Sequence, residues 1–138
     1  MTPNYPLNLT DAGRSTSSHP GQTMDCMVRA LALVRSGGYD AAYDLFKAAG
    51  RRDGCRFKAW RLFDTQHWAE WTRFKVVKGK PRMTAAQFCS EHPHGVYVCK
   101  GARHVFAVIE GVVQDDVVTV TNRAWIFGFW KVLDRTKC

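Results

Sequence analysis

His104-Val105-Phe106-Ala107-Val108-Ile109-Glu110-Gly111-Val112-Val113-Gln114-Asp115 is the stretch on which the fold turns. The run from His104 to Ile109 is apolar enough for a central strand, and a polar histidine at its mouth needs a partner. Residues 103–110 and 112–120 read together as a hairpin turning at Glu110-Gly111. A two-residue turn there sets Ile109 across from Val112 and Phe106 across from Asp115. Side chains alternate faces along a strand, so His104, Phe106 and Asp115 share one face, with Asp115 diagonal to His104. A register slip of one residue would present Asp116 instead. Asn122 is a more distant candidate for the same role.

Outward from the hairpin, strands are expected at 96–100 and from Ala124 to Leu133, and Arg73-Phe74-Lys75-Val76 alternates with period two. Gly79-Lys80-Pro81 turns the chain. Thr84 and Gln87 have the spacing of a capping box that opens a short helix over 84–91, stopped by Pro93 and Gly95. Earlier, Met24, Met27, Val28, Leu31 and Val34 recur at helical spacing over 24–35, with Thr23 or Asp25 as cap and Gly37-Gly38 as terminator. Tyr39, Ala42, Tyr43 and Phe46 do the same over 39–49, closed by Gly50. Residues 57–70 admit a further helix. Residues 1–21 carry Pro3, Pro6, Pro20 and the patch Ser15-Thr16-Ser17-Ser18, and read as an irregular arm ahead of one domain over 22–138. Helices first and strands after imply an α+β domain, N-terminal helices packed on an antiparallel sheet. There are no internal repeats.

A chain of 138 residues, 46% hydrophobic and 12% aromatic, has the composition of a globular domain with a real core. No apolar run approaches the roughly 18 residues of a membrane span, and MTPNYPLNLT has no secretory pattern. Five cysteines (Cys26, Cys55, Cys89, Cys99, Cys138) form no compact disulfide framework, which points to a reducing cytoplasm. Lys and Arg outnumber Asp and Glu by 20 to 12, giving a net charge of +8. That excess favours acidic protein partners or nucleic acid. Arg51, Arg52, Arg56, Lys58 and Arg61 interleave with Phe57, Trp60 and Phe63, a pattern that serves single-stranded nucleic acid by stacking but equally forms a core with a solvated cationic rim.

Cys26 opens the first helix, in Asp25-Cys26-Met27-Val28-Arg29-Ala30-Leu31-Ala32. The free N–H groups at a helix start favour negative charge, so a thiol there ionises more readily. An imidazolium beside it stabilises the thiolate, and a carboxylate beside the imidazole fixes its tautomer. Cys26, His104 and Asp115 are therefore a candidate nucleophile, base and orienting acid. The alternatives are a packed core thiol, a structural histidine and a solvated Asp115-Asp116 bend.

The order of helix-borne cysteine, strand histidine and acid on the next strand resembles the papain-like cysteine peptidases. Asp25 to Ala32, Tyr39-Asp40-Ala41-Ala42-Tyr43-Asp44, His94-Gly95-Val96-Tyr97-Val98 and the hairpin itself resemble small papain-like proteins of tailed phages, over roughly 22–133. The resemblance implies a papain-like fold and thiol chemistry on an amide or isopeptide bond of a protein or peptide, in the cytoplasm (of the host, if phage-encoded). It also implies an oxyanion-binding glutamine before the cysteine. Gln22 is the match, closer to Cys26 than the family's usual spacing. The second reading is a non-catalytic papain-like binding protein that engages a host protein or nucleic acid through its basic surface. No cofactor is expected. Cys89-x2-His92-x-His94 with Cys99 offers ligand types for zinc, but at a spacing that matches no familiar module. There is no Gly-rich phosphate loop and no HExxH.

Overall fold

The computed structural model describes residues 4–58, 60–63, 69–116 and 125–133. Helix α1 spans Cys26–Val34 and α2 spans Gly38–Ala48. Met27, Val28, Ala30, Leu31 and Val34 of α1 are buried with Tyr39, Ala42, Tyr43 and Phe46 of α2 in one cluster. The link is tight. Gly37 sits at φ +108, and a Cβ there would meet the Ala41 Cβ at 2.9 Å, so glycine is required. Gly38 is not a terminator but the first residue of α2.

The region 57–70 differs from the single helix its pattern suggests. Helix α3 covers only Trp60–Phe63, and Ala69–Arg73 forms strand β2. The reason is tertiary: Trp71 pairs with Trp130 across the sheet, their ring centroids 4.5 Å apart, and Phe63 stacks on the same Trp130 at 5.0 Å. Of Arg73 to Val76, only Arg73 lies in the strand. Helix α4, Ala85–Glu91, is capped as expected, with Thr84 Oγ1 accepting the Gln87 N–H at 3.2 Å.

Strands β3 (Val96–Gly101), β4 (His104–Ile109), β5 (Val112–Asp115) and β6 (Ile126–Val132) complete the centre of the sheet. A short strand near the start of the chain, β1 (Leu7–Leu9), pairs with β5. The order is β1-β5-β4-β3-β6-β2. All pairings are antiparallel except β1 with β5, so the sheet is mixed rather than purely antiparallel. The lead-in read as irregular thus carries a strand, with the Val113 N–H bonded to the Pro6 carbonyl and the Thr10 N–H to that of Asp115. Tyr5 is buried beside it.

Helices cover both faces of the sheet. Val98, Val105, Ala107 and Trp130 meet α1 and α2, whereas Tyr97, Cys99, Phe106, Val108, Val113 and Phe129 meet Phe88 and Cys89 of α4. The domain is α+β. What matters for the site is that α1 lies across β4, and that the Glu110-Gly111 turn, both residues at positive φ, sets Ile109 opposite Val112.

Candidate active site

The start of α1 is unusual for a helix end. Asp25 occupies the N-cap, yet its side chain makes no cap bond. Its carboxylate instead accepts from Tyr39 Oη at 2.7 Å, Arg14 Nη1 at 3.1 Å and Arg29 Nε at 3.2 Å. The chain enters through Met24 at φ +52, a left-handed conformation uncommon for a residue with a side chain. Cys26 follows as the first helical residue.

His104 is the first residue of β4. Its Nε2 bonds Asp115 Oδ2 at 2.7 Å, which leaves Nδ1 for the thiol. Cys26 lies beside His104, near enough for the ring and the Val105 N–H to stabilise its thiolate. The His104 ring lies nearly parallel to Phe106, with centroids 5.9 Å apart. Asp115 is 2% exposed and uses both oxygens: Oδ1 takes Arg29 Nη1 at 2.6 Å and the Asp116 N–H at 2.9 Å. The structure thus brings Cys26, His104 and Asp115 together, with His104 bonded to Asp115 and Cys26 beside the ring. Asp116 does not take the orienting place. Its carboxylate binds Arg14 Nη2 at 3.3 Å and Arg29 Nη1 at 3.1 Å. Asn122 lies outside the described residues.

The electrostatics follow from burial and pairing. Burial pushes the Cys26 thiol up, but hydrogen bonding and charge attraction from His104 outweigh it and bring it below the usual thiol value. Burial pulls the His104 imidazolium down, yet Asp115 and Cys26 together raise it to about 9. Desolvation opposes ionisation of Asp115, and His104 and Arg29 overcome it, lowering its carboxyl to about 2. Both shifts favour the thiolate–imidazolium form of the pair, backed by a carboxylate. With His104 charged, Arg14, Arg29 and His104 balance Asp25, Asp115 and Asp116. A balanced, fully bonded cluster is how so many charges are accommodated at low exposure.

Gln22 lines a cavity of about 340 Å3 together with Cys26 and His104. Its Oε1 accepts from Arg51 Nη1 at 3.1 Å and from the Gly54 N–H at 3.2 Å. Two donors on one atom identify that atom as oxygen and leave Nε2 as the amide's donor end. Arg51, grouped by its sequence with a basic surface stretch, is 4% exposed and braces this loop through the carbonyls of Thr23 and Cys55, each at 3.0 Å. A second cavity, of about 450 Å3, flanks the dyad and is lined by Cys26, Met27, Phe57, Val105 and His104 among others.

Arg29, Tyr39, Arg14 and Arg51 are the residues sequence reasoning passed over. Arg29 had a signal: it is the one charge in the nine residues of α1. For the others the sequence carries none, because the partners that tie them to the site, Asp25 and Asp116 for Arg14, Asp25 for Tyr39 and Gln22 for Arg51, lie 11 or more positions away.

The ligand types grouped around residue 92 do other work. Cys89 and Cys99 are buried among the α4-side core residues, and burial pushes both thiols up. His92 stacks on Phe88 at 4.2 Å, and His94 is solvated beside Glu110. Among the described residues no group of three or more His, Cys, Asp or Glu side chains could hold a metal ion. Nor is any described helix long and apolar enough to cross a membrane.

No protein-family model matches the chain, and neither a curated protein nor a solved structure matches it.

Proposed function

We propose that the protein is a papain-like thiol hydrolase or acyl transferase that acts on an amide or isopeptide bond. The observation that carries this reading is the juxtaposition of Cys26 with a His104 that is bonded to Asp115, with the thiol lowered and the imidazole raised to about 9. A nucleophile at a helix start and a histidine on a strand beneath it, oriented by an acid on the neighbouring strand, support the papain-like assignment of the fold.

The reaction follows from that geometry. The Cys26 thiolate attacks the substrate carbonyl carbon, and the C=O π electrons move to oxygen. We assign the oxyanion to the Cys26 N–H and to Gln22, whose side chain lines the same cavity as Cys26 and has its amide donor end free of the Arg51 and Gly54 bonds; one such donor is worth about 10²–10³ in rate where measured. His104 gives its proton to the leaving amine as the C–N bond breaks, producing an acyl-thioester. His104, now neutral, takes a proton from water or an acceptor amine, which attacks the thioester and releases Cys26. Asp115 stays ionised throughout and holds the ring.

Alkylation by iodoacetamide tests the reading. Cys26 is expected to react near neutral pH at least about tenfold faster than the exposed Cys55, because only the thiolate attacks. His104→Ala should remove that advantage and move the pH limb of the reaction upward. A Cys26 that stays inert until the protein is unfolded would overturn the proposal.

A non-catalytic binding role on the same scaffold is the second reading. The net charge of +8 and the cationic lining of the cleft favour it. It would leave Cys26 no more reactive than Cys55.

A further inference from the structure

The 450 Å3 cavity beside Cys26 has a two-part lining. Its floor is apolar: Met27 and Val105 are buried, and Phe57 packs edge-on to Phe46 at 6.0 Å. Its rim carries Arg56 and Lys58 from the segment after α2, Lys100 near the end of β3 and Arg103 from the β3–β4 turn. Among the described residues no carboxylate lines it, and none forms an ion pair with any of these four cations. The contrast with the interior network is sharp, since Arg14 and Arg29 are each shared between two or more carboxylates.

Arg103 adds an independent observation. It holds φ +58 in the two-residue turn between the paired Gly101 and His104, a conformation that glycine or asparagine adopts at less cost. The turn thus sets an arginine, and with it a cation, immediately before His104 in a conformation that costs a residue with a side chain more than glycine. Arg56 and Arg103 line both cavities that flank Cys26, so their charge is felt on either side of the thiol.

We infer that the cleft receives an acidic peptide segment, with aspartate or glutamate side chains on the cationic rim and one apolar side chain over Met27, Phe57 and Val105. Calling that peptide the substrate rests on the thiol-acyl-transfer reading; its binding does not. Nucleic acid fits less well. Among the described residues the one aromatic side chain lining the cavity besides His104 is Phe57, which is engaged with the core, and Trp71, on the outermost strand β2, lies against Trp130.

The test uses the full chain as Cys26→Ala, so that bound peptide is not turned over, with anisotropy of three probes carrying a neutral dye. These are a short peptide with one Phe flanked by Glu residues, its twin with Gln for every Glu, and a single-stranded oligonucleotide of equal charge. The acidic peptide is expected to bind about tenfold or more tighter than its twin, with the margin shrinking as ionic strength rises from about 0.05 M to about 0.5 M. Arg103→Glu and Lys100→Glu should each abolish the margin. Lys131→Glu, an exposed cation at the far end of β6, should keep it. Arg103→Gly separates charge from folding, since it should raise thermal stability while losing the margin. Equal binding of the twin overturns the inference, as does a margin that survives Arg103→Glu. So does an oligonucleotide that binds tighter than the peptide and displaces it. Iodoacetamide on the wild-type chain reads the other question: a slow Cys26 with the acidic preference intact overturns the thiol chemistry and leaves the acidic site standing.

Discussion

Asp115 is bound by the His104 ring, the Arg29 guanidinium and the Asp116 amide, and this saturation is what lets a carboxylate remain charged at 2% exposure. It also makes stability depend on pH at both ends. The His104 value is raised from 6.5 to about 9, so its contribution is complete below pH 6.5 and is lost as pH rises through about 9. The Asp115 value is lowered from 3.8 to about 2, so its contribution is present above 3.8 and is lost as pH falls through about 2. Between those windows the pair is fully formed. Urea midpoints measured across pH should therefore fall off on both flanks. In His104→Ala the alkaline loss between 6.5 and about 9 should shrink, because the group whose proton is released is gone. An unchanged alkaline flank in that variant would show that the imidazolium is not a stabilising partner.

At the scale of elements, the outer strand β2 is held by one large side chain over one small residue. Trp71 covers Gly128 on β6, and a Cβ at Gly128 would run into the Trp71 indole and lie 2.6 Å from the Thr72 carbonyl oxygen. The indole is a side chain that can shift only against Trp130, and the oxygen belongs to the backbone of the paired strand. Gly128→Ala should thus cost about 1–3 kcal/mol, the usual price of overpacking. In a Trp71→Ala background the added cost should be smaller but not zero, since Thr72 remains; urea unfolding of the four variants checks this. A fully additive pair would mean that Trp71 does not lie on Gly128. This strand also shows where legibility ended. Helices α1, α2 and α4 and strands β3 to β6 bury one face or both, so period and turn residues disclosed them. Strand β2 is exposed along nearly its whole length and β1 has three residues, so neither displays a burial rhythm. The same logic governs the site. The closeness of His104 and Asp115 follows from a two-residue turn and strand alternation, which are local. Arg29 reaches Asp115 across 86 positions, and only tertiary structure could pair them.

Across the whole molecule, the first residues of the chain are a working part of the site. Strand β1 lies on β5, the strand that ends in Asp115, and the Thr10 N–H bonds the Asp115 carbonyl itself at 2.8 Å. Arg14 then ties Asp116 to Asp25, the residue before Cys26, so one side chain bridges the strand of the acid and the helix of the thiol. Further on, Ser18 is bonded to Asp40, and His19 stacks on Tyr43 at 3.6 Å, which fastens the segment to α2. Deleting residues 1–16 removes the strand, buried Tyr5 and Arg14 together. Burial of the tyrosine is worth about 2 kcal/mol, and each lost hydrogen bond about 1 kcal/mol more. The expected fall in Tm is therefore about 10 °C or more for a domain of this size. Arg14→Met keeps the strand but cuts the bridge, so it should lower Tm less while still slowing alkylation of Cys26. That order separates a scaffold effect from an effect on the thiol. If the shortened chain melted at the same temperature and its Cys26 reacted as fast, residues 1–16 would be a passive lead-in, and the bridge from Asp116 to Asp25 would carry no part of the site's order.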